Sequence, residues 1–102
     1  MERFQGKVAF VTGASRGLGK CIASAFAREG AKVCLADIDE ERLSQTEAEL
    51  RSAGYEVRKF VVDVTNRAQV DQAAEQANRH YGKLDILVNN AGVLRDNLLF
   101  RM

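Results

Sequence analysis

Four short apolar runs alternating with three stretches of helical period limit what this chain can fold into. The runs are Lys7-Val8-Ala9-Phe10-Val11-Thr12, Lys32-Val33-Cys34-Leu35-Ala36, Val57 to Val64, and Leu84-Asp85-Ile86-Leu87-Val88. After the first, Leu18, Ile22, Ala25 and Phe26 fall at i, i+4, i+7 and i+8, the spacing of one helical face, and Gly30 sits where that helix would stop. Asp37 closes the second run, and Asp39, Glu40 and Glu41 suit the start of a second helix and its dipole. Leu43, Leu50 and Ala53 give that helix a thin apolar stripe as far as Gly54. Thr65 or Asn66 can cap a third, whose inward face reads Val70, Ala73, Ala74, Ala77 and Tyr81.

Continuous apolar strands separated by helices imply a parallel sheet covered on both faces. Right-handed crossovers then wind it in both directions from its centre, giving an α/β chain of about four strands in the order 3-2-1-4. The sequence has no proline and no linker-like stretch, so residues 1–102 read as one domain. A further helix is expected to begin near Asn97. The outer side of the fourth strand, Ile86-Leu87-Val88, is expected to be an open edge, which would leave the chain marginal, swollen or oligomeric.

Thr12-Gly13-Ala14-Ser15-Arg16-Gly17-Leu18-Gly19 joins the first strand to the first helix. Glycine lets backbone approach a ligand closely, and the N–H groups and dipole of a helix start favour a phosphate. Asp37, at the end of the next strand, lies near the separation expected of an acid that hydrogen-bonds the ribose of a dinucleotide. Strand, glycine turn, helix and strand-end acid occur in the order of a Rossmann-type dinucleotide site. A nucleoside-triphosphate loop fits less well, because Ala14 stands where its opening glycine belongs and Cys21 replaces the magnesium-binding hydroxyl. A carboxylate at Asp37 accepts from two free ribose hydroxyls and repels a 2′-phosphate, which favours NAD. NADP is the alternative, since the Arg16 guanidinium can reach a 2′-phosphate.

Net charge is +1, from 15 basic and 14 acidic residues spread along the chain, so neither nucleic acid nor a membrane surface is the expected partner. No apolar stretch approaches the length of a membrane span. Cys21 and Cys34 lack metal-site spacing; both are expected to be buried free thiols, and no metal site is assigned. The N-terminal residues lack the apolar run of a secretory signal, which places the chain in the cytoplasm by default, with the mitochondrial matrix as the alternative.

The T-G-x-x-x-G-x-G loop, the Asp63-Val64 pair and the Leu84 to Val88 run ending in Asn89-Asn90-Ala91-Gly92 together resemble the short-chain dehydrogenase/reductase family. The stretch Val93 to Met102 is similar to the corresponding part of 3-oxoacyl-(acyl-carrier-protein) reductases and, in part, of 3-hydroxyacyl-CoA dehydrogenases. The resemblance implies an NAD(P)-dependent oxidoreductase acting on a carbonyl or alcohol, with a 3-oxoacyl or 3-hydroxyacyl thioester as substrate class. It places Gly13, Ser15, Arg16, Gly17, Leu18 and Gly19 around the pyrophosphate and adenosine ribose, and Asp37 on the ribose. Asp63 and Val64 would border the adenine, while Asn90, Ala91 and Gly92 would lie along the cofactor.

Carrier-protein reductases mostly use NADPH, and Asp37 departs from that pattern. The family's catalytic Ser, Tyr-x-x-x-Lys and Asn lie beyond the N-N-A-G strand, so no catalytic residue is assigned here and the 102 residues read as the cofactor-binding half. A truncated form would then act as an inert nucleotide-binding or interaction module, forming homo-oligomers or docking on full-length subunits. Tyr55-Glu56-Val57-Arg58-Lys59 spells Tyr-x-x-x-Lys but enters a strand, where four residues span roughly 13 Å and the side chains do not meet. His80 and Tyr81 read as surface and packing residues at the end of the third helix.

Overall fold

The computed structural model describes residues 3–90 and the backbone of Leu98–Phe100. Its elements are β1 (Val8–Thr12), α1 (Gly17–Arg28), β2 (Lys32–Asp37), α2 (Glu40–Ser52), β3 (Val57–Val61), α3 (Arg67–Tyr81), β4 (Ile86–Val88) and β5 (Leu98–Phe100). The sheet runs β3-β2-β1-β4-β5. β3, β2, β1 and β4 are parallel, in the expected 3-2-1-4 order, with Val8 opposite Lys32, Val33 opposite Val57 and Phe10 opposite Leu87.

The far side of β4 corrects two expectations. Leu98–Phe100 forms a strand, and it pairs antiparallel with β4, Val88 facing Leu98 and Ile86 facing Phe100. Neither a helix over these residues nor an open β4 edge is present. Three consecutive apolar residues carry no period of their own, so the unpaired N–H and C=O groups of β4 decide their conformation.

β1 is central and every one of its residues is buried. Alternation along it divides the core. Ala9 and Val11 share one cluster with Ala23 and Ala27 of α1 and Leu43 and Leu50 of α2. Val8 and Phe10 share the other with Val70, Ala73 and Ala77 of α3. Helices α1 and α2 therefore cover one face and α3 the other, and Phe10 meets Phe60 of β3 with ring centroids 5.8 Å apart.

The buried face of α1 is Gly19, Ala23 and Ala27, not the Leu18-Ile22-Ala25-Phe26 stripe. Leu18 is 67% exposed, while Ile22 and Phe26 are half-buried and Phe26 packs edge-on against Phe4 at 5.0 Å. Small residues win the inner face because they let the helix backbone come close to the sheet; periodicity of large apolar side chains does not register that. Cys21, two residues and therefore about 200° round the helix from Gly19, is exposed, contrary to expectation. Cys34 in β2 is buried as expected, and burial pushes its thiol up to about 12, against the opposing charge of Arg58.

Asp39 caps α2, accepting from the Arg42 N–H at 3.1 Å, and Asn66 rather than Thr65 caps α3, accepting from the Gln69 N–H at 3.2 Å. Leu43 and Leu50 of α2 are buried as the stripe implies, joined by Thr46, but Ala53 is exposed.

The free edge of β3 is closed in part by side chains of α2. The Lys59 N–H donates to Glu47 Oε2 at 2.9 Å, and Arg51 Nε donates to the Val57 carbonyl at 3.1 Å. Glu47 and Arg51 are themselves 3.6 Å apart across one helical turn. Replacing Glu47 with alanine is expected to speed amide exchange at Lys59 and to cost about 1 kcal/mol in a urea melt, the ordinary net worth of such a bond. Unchanged exchange at Lys59 would show that the carboxylate does not protect it.

Candidate functional site

Parallel strands bring their C-terminal ends to one margin of the sheet, so the β1–α1 loop, the end of β2, the end of β3 and the end of β4 meet there. The loop turns at Gly13, whose φ of 64° lies in the left-handed region. Its backbone is tied to β2 through the Ala14 N–H, which donates to the Ala36 carbonyl at 3.2 Å.

Gly19 then passes so close to Gly13 that a Cβ would overlap the Gly13 carbonyl oxygen and stand 2.6 Å from its carbon. The same Cβ would come within 2.7 Å of Asn90 Nδ2. Gly13, Gly19 and Asn90 thus converge where α1 begins. Arg16, at the N-cap of α1, is extended and provides no side-chain cap, and the first turn holds no acidic residue. α2 and α3 start on a capping side chain, whereas no side chain offsets the positive dipole end of α1.

Across the loop stands Asp37, half-buried at the end of β2. Its Oδ2 accepts from the Ser15 hydroxyl at 2.6 Å and the Ser15 N–H at 3.2 Å. Its Oδ1 accepts from the N–H groups of Ile38 at 2.7 Å and Asp39 at 3.3 Å. Burial alone would raise the carboxyl pKa, but these hydrogen bonds, led by the Ser15 hydroxyl, outweigh it and hold the group below its usual range. Ser15 is buried and its carbonyl accepts from Thr46 Oγ1 at 3.4 Å, whereas Arg16, Gly17 and Leu18 are exposed on the same loop.

Asp63 and Val64 follow β3, which is tied to β2 by the Val62 N–H donating to the Asp37 carbonyl at 2.9 Å. The Asp63 carboxylate is engaged locally. It accepts from the Thr65 hydroxyl at 2.6 Å and N–H at 3.0 Å, which hold it below the usual carboxylate range, the hydroxyl contributing most. Ala91 and Gly92 lie outside the described residues.

Two residues of the site escape the sequence reading. Thr12 is a buried junction: its hydroxyl donates to Asn89 Oδ1 at 3.1 Å and accepts from the Asn90 N–H at 2.9 Å, fixing the end of β4 against β1. A threonine at the last position of a strand, opposite an asparagine pair, is the signal that was available. Ile38 is 61% exposed directly after Asp37, an apolar platform beside the carboxylate. Its signal is a lone isoleucine between two aspartates.

The Tyr55–Lys59 spelling is not a functional pair. Lys59 Nζ bonds Ser44 Oγ at 2.7 Å, and Tyr55 packs on the core before β3. Among the described residues, no group of three or more His, Cys, Asp or Glu side chains forms a metal site, and no helix is long and apolar enough to cross a membrane.

The order of strands, the glycine loop and the strand-end acid define a Rossmann-type α/β unit. The sequence pattern of the short chain dehydrogenases matches residues 7–101, and the chain belongs to that family. It is 43% identical to a 3-oxoacyl-(acyl-carrier-protein) reductase of Thermotoga maritima over 100 residues, 98% of this chain and 41% of the relative. The Escherichia coli reductase of the same name is 42% identical over 97% of the chain and 39% of its own length. Among solved structures, apo glucose dehydrogenase of Caenorhabditis elegans superposes with a TM-score of 0.82 at 46% identity, over 88% of this chain and 39% of that one. A short chain dehydrogenase/reductase of Burkholderia phymatum in complex with NAD gives 0.81 at 44%, over 86% and 31%. The chain spans about two fifths of the length of the reductases it matches.

Gly19→Ala forces the Gly13 carbonyl to move, and is expected to cost about 2 kcal/mol, in the range of overpacked sites, as read from a urea melt. For Asp37 the folded pKa lies below the unfolded value of ~3.9. Its contribution to stability is therefore complete above that value and lost as pH falls through the folded one. The stability gap between wild type and Asp37→Asn is expected to stay level from about pH 8 to pH 5 and to close below about pH 4; a gap that widens on acidification would contradict the assignment.

Proposed function

We propose that this chain is the cofactor-holding part of an NAD(P)-dependent oxidoreductase acting on a carbonyl or alcohol, with a 3-oxoacyl or 3-hydroxyacyl thioester as substrate class. The observation that carries the proposal is the convergence of Gly13 and Gly19 at the uncapped start of α1, with the hydrogen-bonded Asp37 across the loop. A dinucleotide fits this arrangement: its pyrophosphate needs close backbone and N–H donors, and its ribose needs an acceptor. The nicotinamide, when bound, supplies hydride transfer.

In this reading Gly13, Gly17, Leu18 and Gly19 bound the pyrophosphate, Arg16 stands at its ribose end, and Ser15 serves that end through its bond to Asp37. Asp37 accepts from the ribose hydroxyls, and Ile38 gives the adenine an apolar surface with Asp63 and Val64 beyond it. Asn90, Ala91 and Gly92 follow the cofactor past β4, with Thr12 holding the start of that segment. The carboxylate at Asp37 supports NAD over NADP, because a 2′-phosphate would lie against a negative charge. The thioester substrate rests on the similarity to proteins named 3-oxoacyl-(acyl-carrier-protein) reductases.

Titration of the purified chain with NADH and NADPH by calorimetry tests this reading. NADH is expected to bind at least about tenfold more tightly than NADPH, equivalent to ~1.4 kcal/mol. A folded chain that binds neither dinucleotide would sink it.

A further inference from the structure

The four donors around Asp37 are not equivalent. One short bond reaches each oxygen: Ile38 N–H to Oδ1 at 2.7 Å and the Ser15 hydroxyl to Oδ2 at 2.6 Å. The other two, from Asp39 N–H at 3.3 Å and Ser15 N–H at 3.2 Å, are long. A carboxylate has roughly four acceptor positions, so two ribose hydroxyls can be accommodated only by taking over positions already in use. The long bonds are the weakly held ones, one on each oxygen. The short bonds, one from a neighbouring backbone group and one from a side chain across the loop, fix the plane of the carboxylate.

Ser15 is suited to that task and to little else. It is 5% exposed while Asp37 is half-buried, so the hydroxyl acts from behind the carboxylate. Its carbonyl is bonded by Thr46 Oγ1 at 3.4 Å, which ties the residue to α2 as well as to the loop. Since an ionised carboxylate only accepts, the single hydroxyl hydrogen must point at Asp37, in a charge-assisted bond of the short kind.

We infer that Ser15 is a positioning residue for Asp37, clamping Oδ2 from the buried side so that the carboxylate is held in the plane that receives a ribose diol. The inference rests on the dinucleotide reading above. It assigns the preference for NAD to the Ser15–Asp37 pair rather than to Asp37 alone. The low pKa of Asp37, with the Ser15 hydroxyl as its leading favourable partner, agrees with the geometry.

The test is calorimetric titration of wild type, Ser15→Ala, Asp37→Ala and the double variant with NADH and NADPH, with folding checked by amide spectra. Ser15→Ala is expected to weaken NADH about tenfold, as for loss of one hydrogen bond to a charged group, and to leave NADPH within about twofold. In the Asp37→Ala background the same change should alter neither. A carbon-detected titration of the Asp37 carboxyl, which needs no cofactor, should move up towards the ordinary value in Ser15→Ala. Should alanine disturb the loop, Ser15→Gly deletes the same hydroxyl.

Equal weakening of both dinucleotides would make Ser15 a loop-shaping residue and overturn the inference while leaving the dinucleotide reading intact. The same holds if the NADH loss persists without Asp37, or if neither cofactor responds to Ser15→Ala. Wild type that binds neither dinucleotide overturns both.

Discussion

The approach of α1 to β1 through Gly19 is the constraint on which the rest of the site depends. With no side chain at Gly19 and a single methyl at Ala23 and Ala27, the helix lies against the sheet at backbone distance, and its first turn arrives beside Gly13 and Asn90. That fixes where the positive end of the helix points relative to the ends of β1, β2 and β4. Thr12 then locks β4 to β1, and the Ser15–Asp37 contact locks the loop to β2. A bulkier residue on the inner face would push the helix outward, separating its first-turn N–H groups from Asp37.

Much of this was legible in the sequence, because alternation of strand and helix is written in residue types. The strand order followed from the crossover rule, the loop and Asp37 followed from local chemistry, and the cap of α3 was narrowed to Thr65 or Asn66, of which the structure uses Asn66. What stayed hidden has a physical cause in each case. The inner face of α1 consists of the smallest side chains, which contribute nothing to a pattern of large apolar residues, so Leu18, Ile22 and Phe26 claimed a face that the structure gives to Gly19, Ala23 and Ala27. β5 was hidden because its conformation is imposed by a neighbour, β4, rather than by its own three residues. The Ser15–Asp37 contact joins residues 22 positions apart, and spacing alone does not say that their side chains meet.

The chain belongs to the short chain dehydrogenases, and the geometry explains what each feature of the loop contributes. The glycines create space, the helix start supplies donors, and the strand-end acid supplies an acceptor held in place by its neighbours. Hydrogen bonding at Asp37 also resolves an apparent conflict: a half-buried carboxylate ought to resist ionisation, yet the four donors around it more than offset the cost of leaving water.

The contrast between the two cysteines has a practical consequence. Cys34 lies sealed in the central sheet with its thiol pushed up to about 12, so it offers almost no thiolate to an alkylating reagent near neutral pH. Cys21 faces water on α1, one turn beyond Gly17. Cys21 therefore offers an attachment point for a single fluorophore at an exposed position of α1, one helical turn from the glycine loop.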